Sequence, residues 1–289
     1  GSSGSGSSTR IGGTVTFTSD ATIDGQSGES NSLTIDAGTQ QVLFNNNLGQ
    51  TDPLGALTIT QADGGVTFGE SDDFEPGGEH GTTGPVSTIS TNGAIDIGVG
   101  SNVITGGILL NGGVSGLLQI TVTDEPVRLN GAVTLATHVS INTNATPDSG
   151  GGAVTFTSSA TIDSESGEHN DLTIDAGTQQ VVFNNNLGQT DSLGILTVTQ
   201  ADAGVIFGES DTFEPDGPGT TGPVTIIATD GAIDIGVLEH VITGGIVLNA
   251  GNVDRTTPTV TLTAPATTND TTPSVTVTAN DPDVGVTGS

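Results

Sequence analysis

The chain has no Cys, Met, Trp or Tyr, and no lysine among its 289 residues. Without cysteine there are no disulfides and no thiolate chemistry, so the redox compartment leaves no mark. Without lysine there is no Schiff-base catalysis, no phosphate-cradling Gly-Lys-Ser loop and no Lys–Asn isopeptide crosslink. The fixed cations are Arg10, Arg128 and Arg255, set against 33 acidic residues for a net charge of −30. A nucleic-acid partner is therefore excluded, because neutralising phosphates takes clustered Lys or Arg. The negative excess favours solubility, self-repulsion and attraction of cations such as Ca²⁺. A solvated acidic surface suited to a salty exterior accounts for the same charge. No apolar run approaches the ~20 residues of a membrane helix, and no signal-peptide core is visible. The opening Gly/Ser run, residues 1–11, reads as a flexible linker or tag and stands outside the fold argument. A piece of a larger secreted protein has this look.

Hydrophobic residues make up only 32% of the chain, which together with the charge is a composition that permits disorder. Their arrangement argues otherwise. In "TVTFT", "LTIT" and "VTVT" β-branched apolar residues alternate strictly with polar ones, the pattern of strands with one buried face. No stretch carries a 3.6-residue apolar period, so helix should be minor.

A long internal repeat organises the chain. "GGTVTFTSDATID" at Gly12 returns as "GGAVTFTSSATID" at Gly151, and "FNNNLGQTD" begins at both Phe44 and Phe183. The offset is 139 residues, falling to 138 after one residue is lost between "FEP" and "GTTGP". All eight phenylalanines obey it, pairing Phe17 with Phe156, Phe44 with Phe183, Phe68 with Phe207 and Phe74 with Phe213. The four histidines, His80, His138, His169 and His240, do not. Between the two repeats, bulky apolar residues are kept while the best acid–base side chain drifts.

Within each repeat "LTIDAG" at Leu33 is followed 24 residues later by "LTIT" at Leu57. Six turns per 139-residue repeat would give about 23 residues each, a period suited to a coil of short strands. Alternation puts Val15, Phe17, Leu33, Ile35, Val42, Phe44, Leu57, Ile59, Val66 and Phe68 on the inner face. The expected fold is all-β: a right-handed parallel β-helix of two tandem repeats, residues 12–150 and 151–252. A β-sandwich is the competing reading, but stacked Phe and Ile columns favour the solenoid, in which each coil contacts only its neighbours. Beyond it, residues 253–289 show two alternating strands, Thr259–Thr263 and Ser274–Thr278, too few to close a sandwich core.

The phrases "VTFTSSATID", "LTIDAGTQQVVF" and "LGILTVTQADAGVIFG" resemble the Gly- and Thr-rich repeats of very large bacterial surface proteins, of the filamentous-haemagglutinin-like β-helix type. The tail "TPTVTLTAPATTNDTTPSVTVTANDPDVGV" is similar to the opening of a bacterial immunoglobulin-like module, though it stops several strands early. The resemblance implies a secreted, surface-attached role in adhesion, matrix or fibre formation.

The densest acidic stretch, "GESDDFEPGGEHGTTGP", holds Glu70, Asp72, Asp73, Glu75 and Glu79 and is partly repeated as Glu209, Asp211, Glu214 and Asp216. It interrupts the coil rhythm, and oxygen ligands at alternating positions suit Ca²⁺. Asp281 and Asp283, after the last long strand, form a smaller candidate, and an Asp-Pro turn explains them equally well. No cofactor is required by any motif. Carboxylate pairs that cleave glycosides sit roughly 5–10 Å apart in a groove, but carboxylates are too abundant here for any pair to stand out. No Ser/His/Asp arrangement recurs, and inward-facing Phe leaves no aromatic platform for sugars. The expected function is a non-enzymatic structural subunit or stalk of a bacterial surface adhesin or extracellular fibre, joined end to end to itself or to neighbouring modules. A Ca²⁺-dependent carbohydrate-binding or polysaccharide-processing β-helix, with surface glycans as partners, is the alternative. "FNNNLGQTD" reads as a solenoid corner, its asparagines bonding to counterparts in adjacent coils.

Overall fold

The computed structural model describes residues 12–69, 86–113, 116–146, 150–208, 224–237 and 240–249, and the backbone of three strands beyond them. The chain divides into two compact units, Gly1–Gly251 and Asn252–Ser289. Among the described residues there is strand and turn but no α-helix.

The first unit is built from three parallel sheets. Sheet I stacks β1 (Val15–Phe17), β3 (Val42–Phe44), β5 (Val66–Phe68), β8 (Ile108–Leu110), β11 (Val133–Leu135) and β14 (Ile162–Ser164). Sheet II stacks β6 (Thr88–Thr91), β9 (Leu117–Val122), β12 (His138–Asn142), β15 (Leu172–Asp175), β17 (Leu196–Gln200) and β19 (Ile233–Ile235). Sheet III stacks β2 (Leu33–Gly38), β4 (Leu57–Ala62), β7 (Ile95–Ile97), β10 (Val127–Leu129), β13 (Val154–Phe156), β16 (Gln180–Phe183), β18 (Gly204–Phe207) and β20 (Ile246–Leu248). Single bridges extend the shorter two: Ile23 to Leu48 to Ile89 in sheet II, and Ile162 to Leu187 to Ile227 in sheet I. The chain thus visits sheets I, II and III in fixed rotation, through eight complete coils. This is a solenoid of parallel strands, as the alternation requires.

Short β-branched strands suffice because every inward side chain lands on its counterpart one coil away. In sheet III the column runs Ile35, Ile59, Ile97, Leu129, Phe156, Phe183, Phe207, Leu248. Rings follow the coil spacing. Phe17, Phe44 and Phe68 stack at 5.1 and 5.0 Å with planes within 5°, and Phe156, Phe183 and Phe207 at 5.2 and 5.0 Å within 13°. The expected inner residues are all buried or half-buried in this core.

Coil length departs from the expected ~23 residues. The step from Val42 to Val66 is 24 residues, but from Val66 to Ile108 it is 42. The columns fix only where each strand sits, and closing a longer corner costs little extra entropy. A repeat accordingly contains fourteen strand positions, four and two-thirds coils rather than six, since Val15 lies in sheet I and its equivalent Val154 in sheet III. Every strand of the second repeat is displaced by one face. The first acidic stretch leaves from β5 in sheet I and returns at β6 in sheet II. The second leaves from β18 in sheet III and returns at Ile227 in sheet I.

The second unit is an antiparallel sheet, β21 (Thr259–Thr263), β22 (Thr276–Asp281) and β23 (Val286–Gly288), in that order. The middle strand starts two residues later than Ser274 and runs on to Asp281, and a third strand joins it. Pro282, which has no N–H to give a ladder, follows its end.

Candidate functional site

The "FNNNLGQTD" corners carry the same side-chain wiring in both repeats. In the first, Phe44 ends β3 on sheet I and Leu48 bridges in sheet II; in the second, Phe183 ends β16 on sheet III and Leu187 bridges in sheet I. Asn46 Nδ2 donates to the Ser19 carbonyl at 2.5 Å, and Asn185 Nδ2 to that of Ser158 at 2.6 Å. Asn47 Oδ1 accepts from Ser87 N (2.8 Å), Thr88 N (3.0 Å) and Ser87 Oγ (3.2 Å). Asn186 Oδ1 accepts from Thr225 N (2.8 Å), Ile226 N (3.0 Å) and Thr225 Oγ1 (3.1 Å). The partners across the coils are thus main chain and hydroxyls, not matching asparagines. Gly49 and Gly188, at φ of 64° and 65°, complete the corner, because a Cβ there would run into the Ser90 or Ala228 carbonyl.

These corners grip the acidic stretches. Ser87 and Thr88, or Thr225 and Ile226, begin the chain's return after each stretch. On the outgoing side Gly69 N donates to Phe44 O, and Gly208 N to Phe183 O. The candidate ligands Glu70, Asp72, Asp73, Glu75, Glu209, Asp211 and Glu214 lie outside the described residues, as does Asp283. Asp281 closes β22. Among the described residues no group of three or more His, Asp or Glu converges as a metal site.

Other polar side chains do the same work in both repeats. Asp24 and Asp163 accept from Thr51 N and Thr190 N at 3.0 and 2.8 Å. Ser32 accepts from Ala56 N at 2.9 Å, and its equivalent Asp171 from Ile195 N at 2.7 Å. Thr105 and Thr243 donate to Asp63 O and Asp202 O at 2.9 and 2.8 Å. The bonds are kept between repeats, even where Ser32 is replaced by Asp171, which marks these groups as corner closures that satisfy backbone.

Three constellations do not recur. Arg128 in β10 reaches back one coil, to Asp96 (3.0 Å) and to the carbonyls of Gly98 (2.6 Å) and Gly100 (3.0 Å). It therefore fixes the corner that follows β7. Ser192, His169 and Asp230 converge from three coils, a grouping invisible in sequence because their equivalents are Pro53, Ser30 and Asn92. His169 Nε2 lies 3.2 Å from Asp230 Oδ2 and its Nδ1 3.3 Å from Ser192 Oγ, but the serine donates its proton to Asp230 Oδ1 at 2.8 Å. In that wiring the imidazole has no serine proton to accept, as a nucleophile's base must. His169 and Asp230 are exposed and Ser192 is half-buried, and in the first repeat Asn92 Nδ2 bonds Ser30 Oγ at 3.1 Å across the same gap. The cluster is a clasp between coils. His138 belongs to a similar one: its Nδ1 accepts from Asp171 N at 2.9 Å, so the 3.4 Å approach of the same nitrogen to Asp171 Oδ2 is a contact rather than an ion pair.

The third is a groove of about 520 Å³ between Asn144, Gly150, Asp175, Thr178, Gln200 and His240. Most of its polar lining is already engaged: Asp175 Oδ1 with Gly177 N at 3.0 Å, Thr178 Oγ1 with Gly150 O at 2.6 Å, Gln200 Nε2 with Asp202 Oδ2 at 3.0 Å. Comparison with protein-family models, curated proteins and solved structures gave no match.

Proposed function

We propose that the chain is a structural rod: a right-handed β-helix of two tandem repeats with an immunoglobulin-like strand segment after it, serving as a stalk or fibre subunit of a secreted bacterial surface adhesin or biofilm matrix. The observation that carries this reading is sheet III, eight parallel strands stacked coil on coil over a continuous apolar column, while the polar constellations around it act as corner closures. The mechanism is mechanical. Each coil satisfies its neighbour's backbone, buries its Val, Ile, Leu and Phe, and turns an acidic surface outward. Successive acidic stretches emerge a third of a turn apart, so the rod shows them on different faces. Its partners are further units joined end to end, and its site of action is outside the cell. Immunogold labelling of intact parent cells is the test: label on the surface is expected, and label seen only after lysis would overturn the reading.

In the same reading the acidic stretches, held at both ends by the corners, take Ca²⁺ without requiring it for folding. Extracellular sites of this kind bind in the range of about 10⁻⁴–10⁻³ M. At ten times Kd a single site adds about 1.4 kcal/mol. Millimolar Ca²⁺ is expected to give calorimetric heat and a raised Tm, reversed by chelator; neither heat nor shift would remove the metal from the proposal.

A further inference from the structure

All seven exposed large apolar residues among the described ones lie between Ile195 and Leu248, in the last two coils. The repeat supplies an internal control for them. Ile233, Ile246 and Leu248 are 46, 50 and 74% exposed, whereas their equivalents Ile95, Ile108 and Leu110 are 3, 1 and 1% exposed. The residue types are identical. What differs is cover: in the first repeat Val127 lies on Ile95, Val133 on Ile108 and Leu135 on Leu110.

The opposite end shows the complementary pattern. Val15, Phe17, Ile23 and Leu33 are only half-buried. Their equivalents Val154, Phe156, Ile162 and Leu172 are at most 1% exposed, beneath Val127, Leu129, Val133 and Val139 of the preceding coil. Among the described residues the coils thus end in two apolar faces, each a duplicate of a face that the same chain buries in its interior. Inside the rod the strands of this end-face type are followed in their own sheets by further apolar strands, β7 by β10 and β8 by β11.

We infer that the Ile233/Ile246/Leu248 face receives the Val15/Phe17/Ile23/Leu33 face of a second copy of this chain, and that the two join without rotation. The inference rests on the rod reading above and gives its joint. The phase follows from the coil count. Eight complete coils begin on sheet I and end on sheet III, so the next strand in rotation belongs to sheet I, where the second copy's β1 stands. Each sheet then runs on into the same sheet, and the open strand edges at both ends find partners. The contact is head-to-tail, hence open-ended. Because each chain carries a net charge of −30, salt should strengthen it.

Two full-length variants test the joint: one blocked at the end face by Ile246→Asp with Leu248→Asp, the other at the start face by Val15→Asp with Phe17→Asp. In ~0.5 M salt, where screening falls to about 3–5 Å, wild type is expected to grow with concentration into filaments. Each variant alone should sediment as a monomer. An equimolar mixture should double in mass and stop there, since only one productive pair of faces remains, and that dimer also demonstrates that both variants fold. Micrographs of wild-type filaments provide a second measurement, an axial rise of about 38 Å per chain from eight coils at about 4.8 Å. Variants that polymerise like wild type, a mixture that stays monomeric while wild type assembles, or filaments with another rise would overturn the joint. So would a wild type that stays monomeric, as expected if residues 252–289 cover the end face. None of these results touches the rod reading, because coils continued within one longer chain need no such joint and surface labelling alone decides it.

Discussion

Phe183→Ala should be the most damaging single truncation in the rod, costing about 3–5 kcal/mol. Its ring is fully buried and lies between Phe156 and Phe207, so no neighbour can move in without breaking its own stack. Removing it leaves a void in the sheet III column and deletes two ring contacts, each worth about 0.5–1.5 kcal/mol beyond the area buried. Phe17→Ala supplies the comparison. That ring has a single aromatic neighbour, Phe44, and is half-buried, so its loss should cost less than half as much. Because a solenoid coil touches only the coils beside it, the damage should stay local. Hydrogen exchange on the Phe183 variant should show lost protection in β13, β16 and β18 while β1 to β8 remain protected. Uniform loss along the rod, or equal costs for the two substitutions, would show that the rings do not stabilise as columns. In assembled filaments the gap between the two substitutions should narrow, since a second chain would then cover Phe17.

The sequence carried the inward face almost completely and the circuit hardly at all. V-x-F strands recur so regularly that Val15, Phe17, Val42, Phe44, Val66 and Phe68 can be assigned inward from spacing alone, and each sits in the core or packs against it. The coil length was not legible, because the only short-range measure was the step from Leu33 to Leu57, one of the tightest coils. Corners absorb extra residues without altering a single column, as the 42-residue step from Val66 to Ile108 demonstrates. The one-face displacement between repeats was hidden for the same reason: Val15 and Val154 have the same neighbours in sequence and different sheets in space. Comparing repeats identified structural residues well, since matched polar groups such as Asn47 and Asn186 proved to close corners. It missed whatever changed type between them. Ser192, His169 and Asp230 cannot be found that way, because Pro53, Ser30 and Asn92 stand at the matching positions, although Asn92 and Ser30 bridge the same coils. The last strand, Val286–Gly288, was missed because three residues ending in glycine carry too little alternation to register.

The asparagine corners yield a prediction in which chemistry and shape separate. In Asn47→Leu the volume is roughly kept, but the acceptor for Ser87 N, Thr88 N and Ser87 Oγ is lost. Stranding part-buried backbone donors costs about 1–3 kcal/mol each, so about 2–4 kcal/mol is expected for the corner, some of it recovered by water. Asn47→Asp keeps an acceptor oxygen in place and gives up only the amide donation to Gln50 Oε1 (2.9 Å), which the glutamine can relieve by turning its own amide. The aspartate variant should therefore stay within about 1 kcal/mol of wild type. The difference should be sharpest at the returning end of the acidic stretch, where Ser87 and Thr88 re-enter sheet II. Limited proteolysis should cut the leucine variant faster than wild type between residues 70 and 88 and leave the aspartate variant near the wild-type rate. Asn186→Leu should do the same between residues 209 and 226, on a different face of the rod. Equal cutting of the Leu and Asp variants would mean that the corner holds the stretch by packing, and that the three bonds to a single oxygen contribute little to anchoring it.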